Sequence, residues 1–346
     1  MTSESQYPAY KYSPLPSPST LRLVQLYPAA EFSDPLEFEF ILHDRYSSSD
    51  DVETFHNAVS YVWGNAEFTH NIYCRSAGRY LKITPRVDVM LRQLRVETVE
   101  RIWIDAICLN QEDTAEKNVQ VPLMGEIYHQ ARNVHIWLGP ADPQITKAFK
   151  FLQAIALQSV QAGTNPGIVE SVLKESCGSE SLDPVRKLLH LSWFQRRWVI
   201  QEASLSHETS VHCGPSSIRW PWFADGLGAL QQLREGLEFD QTALNALRVS
   251  NAIRRDPGTL LQILWEFHST VCYDPRDRIF AIYGLAADFQ KDSARSALGD
   301  SRGTVDYLRH WTETYTSLAE YLVQDGGLVE ILRHLSSFGS LRDVNP

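Results

Sequence analysis

The sequence predicts an α/β fold: a mostly parallel sheet flanked by helices, with added β-hairpins and a C-terminal helical region. Three observations predict it. The segments VSYVWG, RIWIDAICL and VHIWLG are apolar nearly throughout, as strands buried on both faces are. Stretches of helical periodicity separate them, in the strand–helix order of parallel βαβ units. Beyond residue 215 the pattern turns to one helix after another.

The elements follow in chain order. Residues 1–19 are rich in Ser, Pro and Tyr and read as a disordered arm. TLRLVQLYP (20–28) and LEFEFILHD (36–44) alternate as strands, and Ser33-Asp34-Pro35 supplies the turn of a hairpin. HNAVSYVWGN (56–65) is a short apolar strand. NIYCRSAGRYLKIT (71–84) is a second hairpin about Ala77-Gly78. Thr84 is an N-cap with Pro85 at the first helical position, and Val87, Met90, Leu91 and Leu94 form the apolar stripe. RIWIDAICL (101–109) reads as a buried strand. Asp113 with Glu116 is a capping box for the helix behind it, which Pro122 delays or kinks. ARNVHIWLGP (131–140) is the next buried strand. KAFKFLQAIALQSV is helical and TNPG breaks it. Asp183-Pro184 starts VRKLLHL. Ser192 with Gln195 caps one helix running to about Ser204, and residues 208–220 are a strand with a turn at Gly214-Pro215. The α/β domain is therefore placed at 20–215 and a helical flanking domain at 216–346. The ending SLRDVNP has no natural finish, so the chain reads as a fragment of something longer.

Composition narrows the function. Hydrophobic residues make up 43% of the 346-residue chain and charged ones 21%, which supports a packed core. A formal net charge of -10 argues against a broad surface for nucleic acid or anionic lipid. The five cysteines are odd in number and none is in CxxC spacing, so neither a disulfide framework nor a structural zinc site is expected. The N-terminus is no secretory signal, and no run reaches the roughly 18 apolar residues of a membrane helix. A soluble, cytoplasmic protein is expected, with no metal and no cofactor.

In parallel sheets ligands lie outside the carboxyl ends of the strands, at a switch in strand order. The polar residues there are Ser60 and Tyr61 before Trp63, and Asp105, Asn110 and Gln111 after the next strand. Asp105 reads either as a site residue or as a loop-pinning carboxylate, and Asn110 and Gln111 either as ligands or as turn chemistry. In WFQRRWVIQEAS, helical spacing places Trp198 and Glu202 on one face and Arg197 and Gln201 on a neighbouring one. A carboxylate beside indole is desolvated, so its pKa rises unless Arg197 or Arg196 compensates. The plain alternative is a structural Glu–Arg pair closing the helix on the sheet. His207 and His212 are five apart, within a strand, and are discarded as a zinc pair. Cys108 reads as a buried thiol.

SYVWG (60–64), WIDAICLNQED (103–113), MGEIYHQARNVHIWLGP (124–140), RRWVIQEAS (196–204) and DPRDRIFAIYGL (274–285) resemble the fungal heterokaryon-incompatibility (HET) domain in order and spacing. The resemblance implies a role in non-self recognition and programmed cell death after hyphal fusion. That family is in turn similar to Toll/interleukin-1 receptor (TIR) domains, which implies a TIR-like, flavodoxin-like sheet. It also implies a W-x-x-x-E element, Trp198 to Glu202, where NAD-destroying TIR enzymes carry their catalytic glutamate. NAD is then the expected substrate, with Glu202 catalytic and Ser60, Tyr61, Trp63, Asp105, Gln111, Arg197 and Trp198 binding it. Trp63 or Trp198 would stack on a base and Arg197 would meet a phosphate or orient Glu202. Self-assembly or an activating protein partner is expected. The competing expectation is a non-catalytic, self-associating signalling adaptor.

Overall fold

The computed structural model describes residues 7–46, 56–95, 99–162, 166–178, 181–232, 240–252, 258–288, 305–324 and 326–338. Residues 1–6 of the expected arm, the break at Thr164-Asn165 and the ending from 339 lie outside the described residues. Nine strands form one sheet: β1 Thr20–Leu26, β2 Glu37–Asp44, β3 Asn57–Tyr61, β4 His70–Cys74, β5 Arg79–Ile83, β6 Glu100–Trp103, β7 Val134–Trp137, β8 Thr209–Cys213 and β9 Ser216–Arg219. Their order is β5-β4-β2-β1-β6-β3-β7-β8-β9.

The sheet is mixed, which corrects the mostly parallel expectation. β6, β3, β7 and β8 run parallel at the centre. The hairpins β1–β2, β4–β5 and β8–β9 are antiparallel, and β1 joins β6 antiparallel. The hairpins flank a parallel centre; β4–β5 and β8–β9 return through tight turns, and β1–β2 through the longer connection 27–36. Gly78 (φ 55°) and Gly214 (φ 53°) hold the left-handed positions in the two tight turns. β3 is the switch: the chain leaves it for β6 on one side, and β7 lies on the other.

The helix Pro85–Leu94 (α1) starts as expected, with Val87 N–H donating to Thr84 Oγ1 at 3.3 Å. The apolar run 101–109 does not stay extended. It leaves the sheet at Trp103, and Asp105–Cys108 (α2) closes a single helical turn on the Ile104 carbonyl. Pro122 interrupts the next helix into Thr114–Gln120 (α3), a 3-10 turn at Val121–Leu123, and Met124–Gln130 (α4). Asp113 caps α3, but Glu116 does not return the bond. It turns to Arg22 at 2.9 Å and to the Asn110 N–H at 2.8 Å, so the expected box is half formed.

Two further expectations change. From residue 7 the chain lies on the protein: Tyr10 N–H donates to the Tyr80 carbonyl at 2.7 Å, and Tyr12 donates to the Ile107 carbonyl at 2.8 Å. Tyr10 packs edge-on with Tyr12 and Phe40, and Tyr12 lies tilted against Phe40, so aromatic burial, invisible in a Ser/Pro composition, fixes this stretch. Strand β9 carries the sheet past residue 215, and the helix Trp220–Gln232 that follows packs on Pro143–Ala162, within the same continuous core. Among the described residues no helix is long and apolar enough to cross a membrane.

Candidate functional site at the carboxyl edge of the parallel strands

The segment 192–204 is two elements instead of one helix. Ser192–Gln195 is a 3-10 turn, Arg196 is extended (φ -75°, ψ 141°), and Val199–Ser204 (α5) is the α-helix. The Ser192–Gln195 capping box is therefore absent. The break has a cause downstream: Val271 N–H donates to the Gln195 carbonyl at 2.7 Å and Arg197 N–H to the Val271 carbonyl at 2.8 Å. This two-bond bridge holds Arg196 in strand geometry. Glu202 consequently stands in the first turn of α5, where the helix dipole favours a negative charge.

Glu202 points at the tip of β3. Its carboxylate accepts a short hydrogen bond from the Ser60 hydroxyl, and Ser60 Oγ accepts from the Trp193 indole N–H at 2.8 Å. Arg196 lies 3.7 Å from the other carboxylate oxygen and also donates to the Tyr61 carbonyl. Glu202 is 2% exposed, and burial pushes its carboxyl up to about 7 against the pull of Arg196 and Ser60, with Asp105 adding to the rise. Burial outweighs one cation at that separation, so near neutral pH the group is poised between acid and carboxylate.

Asp105 forms the outer part of the same edge. It stays partly exposed, accepts from the Trp63 indole N–H at 2.8 Å and from its neighbour Ala106 N–H at 2.7 Å, and its carboxyl is raised by burial. Trp63 is 39% exposed, so one indole face is open to solvent. Gln111 donates to the Asp105 backbone carbonyl at 2.8 Å and pins this turn instead of facing a ligand. The Tyr61 side chain is buried, and burial pushes its phenol far up. Ser60, Glu202, Asp105 and Trp63 are thus brought together. Gln111 and the Tyr61 ring support them from beneath.

Two expectations fail here. Arg197 is buried and faces away from Glu202. Its guanidinium donates to the Arg278 carbonyl at 3.1 and 2.9 Å, to the Phe267 carbonyl, and to Thr270 Oγ1 at 3.1 Å. Burial lowers it to about 10. It binds no phosphate and does not orient Glu202. Trp198 is half-buried and its indole serves Asp277, which also accepts from the Tyr307 hydroxyl at 2.7 Å. It is not a stacking face for the site. Trp198 does enter the helix of Glu202, whose N–H donates to the Trp198 carbonyl at 3.1 Å, but partners at 267–278 and Asp277 draw the Arg197 and Trp198 side chains away from the carboxyl edge. Sequence reasoning offered Arg196 only as an alternative to Arg197 for the partner of Glu202, and it passed over Trp193 as the donor to Ser60. The adjacent arginines were a signal; the bridge from Val271 was not visible in the local pattern.

The thiol of Cys108 is buried among backbone groups and pushed up to about 12, which rules it out as a nucleophile near neutral pH. Among the described residues no three His, Cys, Asp or Glu side chains converge as a metal site.

Comparison with known proteins finds sequence relatives. The family model described as heterokaryon incompatibility protein (HET) matches residues 56–202, from the first residue before β3 to Glu202 itself. The chain is 31% identical over 397 aligned positions to heterokaryon incompatibility protein 6, OR allele, of Neurospora crassa, a match covering 96% of this chain and 56% of that protein. The chain thus spans little more than half the length of that relative. No solved structure matches it. Residues 56–202 are a heterokaryon incompatibility domain, and the chain belongs to that family.

Proposed function

We propose that this chain acts in heterokaryon incompatibility as a cytoplasmic cell-death effector, and that on assembly its carboxyl-edge cluster cleaves the nicotinamide–ribose bond of NAD. The observation that carries the reading is the position of Glu202: a carboxyl group bonded to Ser60 at the tip of the switch strand, beside Asp105 and the open face of Trp63. The parallel strands, numbered by their order in the chain, lie as 2-1-3-4. That is the arrangement of flavodoxin-like sheets, and it supports the TIR-like expectation.

The chemistry needs few groups. The bond between ribose C1′ and the pyridinium nitrogen breaks, its electron pair goes to nitrogen, and nicotinamide leaves neutral, so no general acid is required. The ribose is left oxocarbenium-like, as in glycoside hydrolysis. A carboxylate at the ribose hydroxyls stabilises that charge, and water adds to C1′ with loss of a proton to give ADP-ribose. Glu202 supplies the carboxylate, Ser60 holds it, Asp105 faces the ribose from the outer rim and Trp63 offers its open face to a base.

With 2% exposure, Glu202 cannot meet substrate in this conformation, so cleavage requires an opening that assembly provides. The test is nicotinamide release from NAD by the full chain over a range of protein concentrations. Release should rise steeply with concentration, increase with pH through about 7 as Glu202 ionises, and vanish in Glu202→Gln. A chain that assembles and leaves NAD intact refutes the reading. The closure of Glu202 favours a second reading, a self-associating adaptor in which the cluster is structural. Toxicity in cells with undiminished NAD, retained by Glu202→Gln, would establish that one.

A further inference from the structure

The geometry points to Arg196 as the positioning residue that sets the charge state of Glu202, held in place by a backbone bridge from Val271, so that the site is completed by the region after residue 258. The inference rests on the reading above and extends it. The domain that the family model covers ends at Glu202, whereas the bridge comes from outside it.

Three observations carry it. Arg196 is the one cation beside Glu202 among the described residues, and it is 20% exposed where Glu202 is 2% exposed, so it forms the layer between the carboxylate and solvent. Its side chain is fixed at two points, the Tyr61 carbonyl and Glu202. Its backbone is fixed by the bonds to Val271 on either side, at 2.7 and 2.8 Å. Arg197 then locks the same turn to Phe267, Thr270 and Arg278. A shift of the 267–278 segment would therefore drag Arg196 off Glu202. The other groups facing Glu202 give no substitute: Asp105 is acidic, and Tyr61 and Tyr128 are phenols held neutral by burial.

The test follows Glu202 ionisation in the full chain by the infrared band of its protonated carboxyl, isolated by subtracting Glu202→Gln, together with nicotinamide release. Arg196→Met should raise the Glu202 midpoint by about one unit, a tenfold change in proton affinity, because an opposite charge within reach lowers a carboxyl by that order. Arg196→Lys should restore most of the shift. Val271→Pro, which deletes the N–H bonded to Gln195, should move the midpoint in the same direction as Arg196→Met. An Arg196→Met midpoint equal to wild type overturns the proposal whatever happens to NAD. A midpoint that moves with Arg196→Met but not with Val271→Pro overturns the part assigned to the bridge. If midpoints move as stated while the wild-type chain never releases nicotinamide, the positioning role stands and the glycohydrolase reading falls. If release occurs, Arg196→Met should lower it about fivefold at pH 7 and recover it at higher pH.

Discussion

The helix α5 and the turn before it have two faces, and they solve opposite problems. The face toward the sheet buries Glu202 with Ser60 as hydrogen-bond donor and Arg196 at 3.7 Å, and its carboxyl stays strained upward to about 7. The face toward the C-terminal helices buries Arg197 with four donations to carbonyl and hydroxyl oxygens, and Gln201 in a slot between two glycines. One face satisfies its polar groups fully and serves as an anchor. The other leaves a charge incompletely compensated, which costs stability and makes sense where chemistry needs a titratable group. Five substitutions test this contrast, at Arg196 and Glu202 on the sheet face and at Arg197, Gly125 and Trp198 on the other.

The largest effect is expected on the anchor. Arg197→Ala removes four donations at once, two of them to the Arg278 carbonyl, although Thr270 still donates to the Phe267 carbonyl, and it opens a cavity. A loss of about 4 kcal/mol in denaturant unfolding is expected, near the limit for one substitution. Arg196→Ala, one residue earlier and 20% exposed, should cost only about 1 kcal/mol, because Glu202 can take up a proton when the cation is lost. Similar losses at the two positions would erase the distinction between the faces.

Next comes Glu202 itself. Its carboxyl is raised from 4.5 to about 7, so the folded state holds a proton over a pH range where the unfolded chain has released it. Stability from this group is therefore present at acid pH and declines as pH rises from about 4.5 through about 7. Glu202→Gln removes the penalty. At pH 8 it should be more stable than wild type by up to about 3 kcal/mol, with the difference gone by about pH 4. Equal or lower stability of Glu202→Gln at pH 8 would place Glu202 on the anchor side and support the adaptor reading.

How much of this was legible beforehand follows the same contrast. Both early hairpins, the cap at Thr84, the effect of Pro122 and the family itself were written in local patterns, and the structure carries the elements where those patterns lie. That Ser60, Trp63 and Asp105 lie together was legible because strands buried on both faces announce their carboxyl ends, whereas Glu202 drew attention as a carboxylate on a tryptophan-lined helix. What was not legible depended on distant chain. The run after Trp103 curls into a turn although its apolar letters read as strand. Arg197 and Trp198 were assigned to the site because their partners, at 267–278 and Asp277, lie about seventy to eighty positions on. Local periodicity carries no information about such a partner.

Gly125 sharpens the anchor side at smaller cost. Gln201, with its amide oriented to match its surroundings, accepts from the Gly125 N–H at 2.7 Å and donates to the Ala281 carbonyl at 3.1 Å. A Cβ on Gly125 would collide with the Gln201 amide, and one on Gly284 would meet it at 2.7 Å. Gly125 is helical with ordinary φ, so in open space alanine would be favourable there. Gly125→Ala should nevertheless destabilise by about 2 kcal/mol through overpacking, measured in chemical unfolding. The double variant Gly125→Ala with Gln201→Ala should regain part of it, because the colliding amide is gone.

Trp198→Phe is the mildest change and separates the faces most directly. The indole N–H that Asp277 accepts is lost while the ring is largely kept. Burial already raises Asp277, and the Trp198 and Tyr307 hydrogen bonds oppose that rise, so removing one lets the carboxyl climb further. A raised carboxyl weakens the fold as pH increases through the shifted range. The variant should therefore lose about 1 kcal/mol at pH 8 and less at pH 5, in unfolding curves compared with wild type. Because Trp198 faces Asp277 and not the carboxyl edge, the ionisation of Glu202 should be unchanged in this variant. A displaced Glu202 midpoint would mean that the indole belongs to the site after all, and that the two faces of the helix are one.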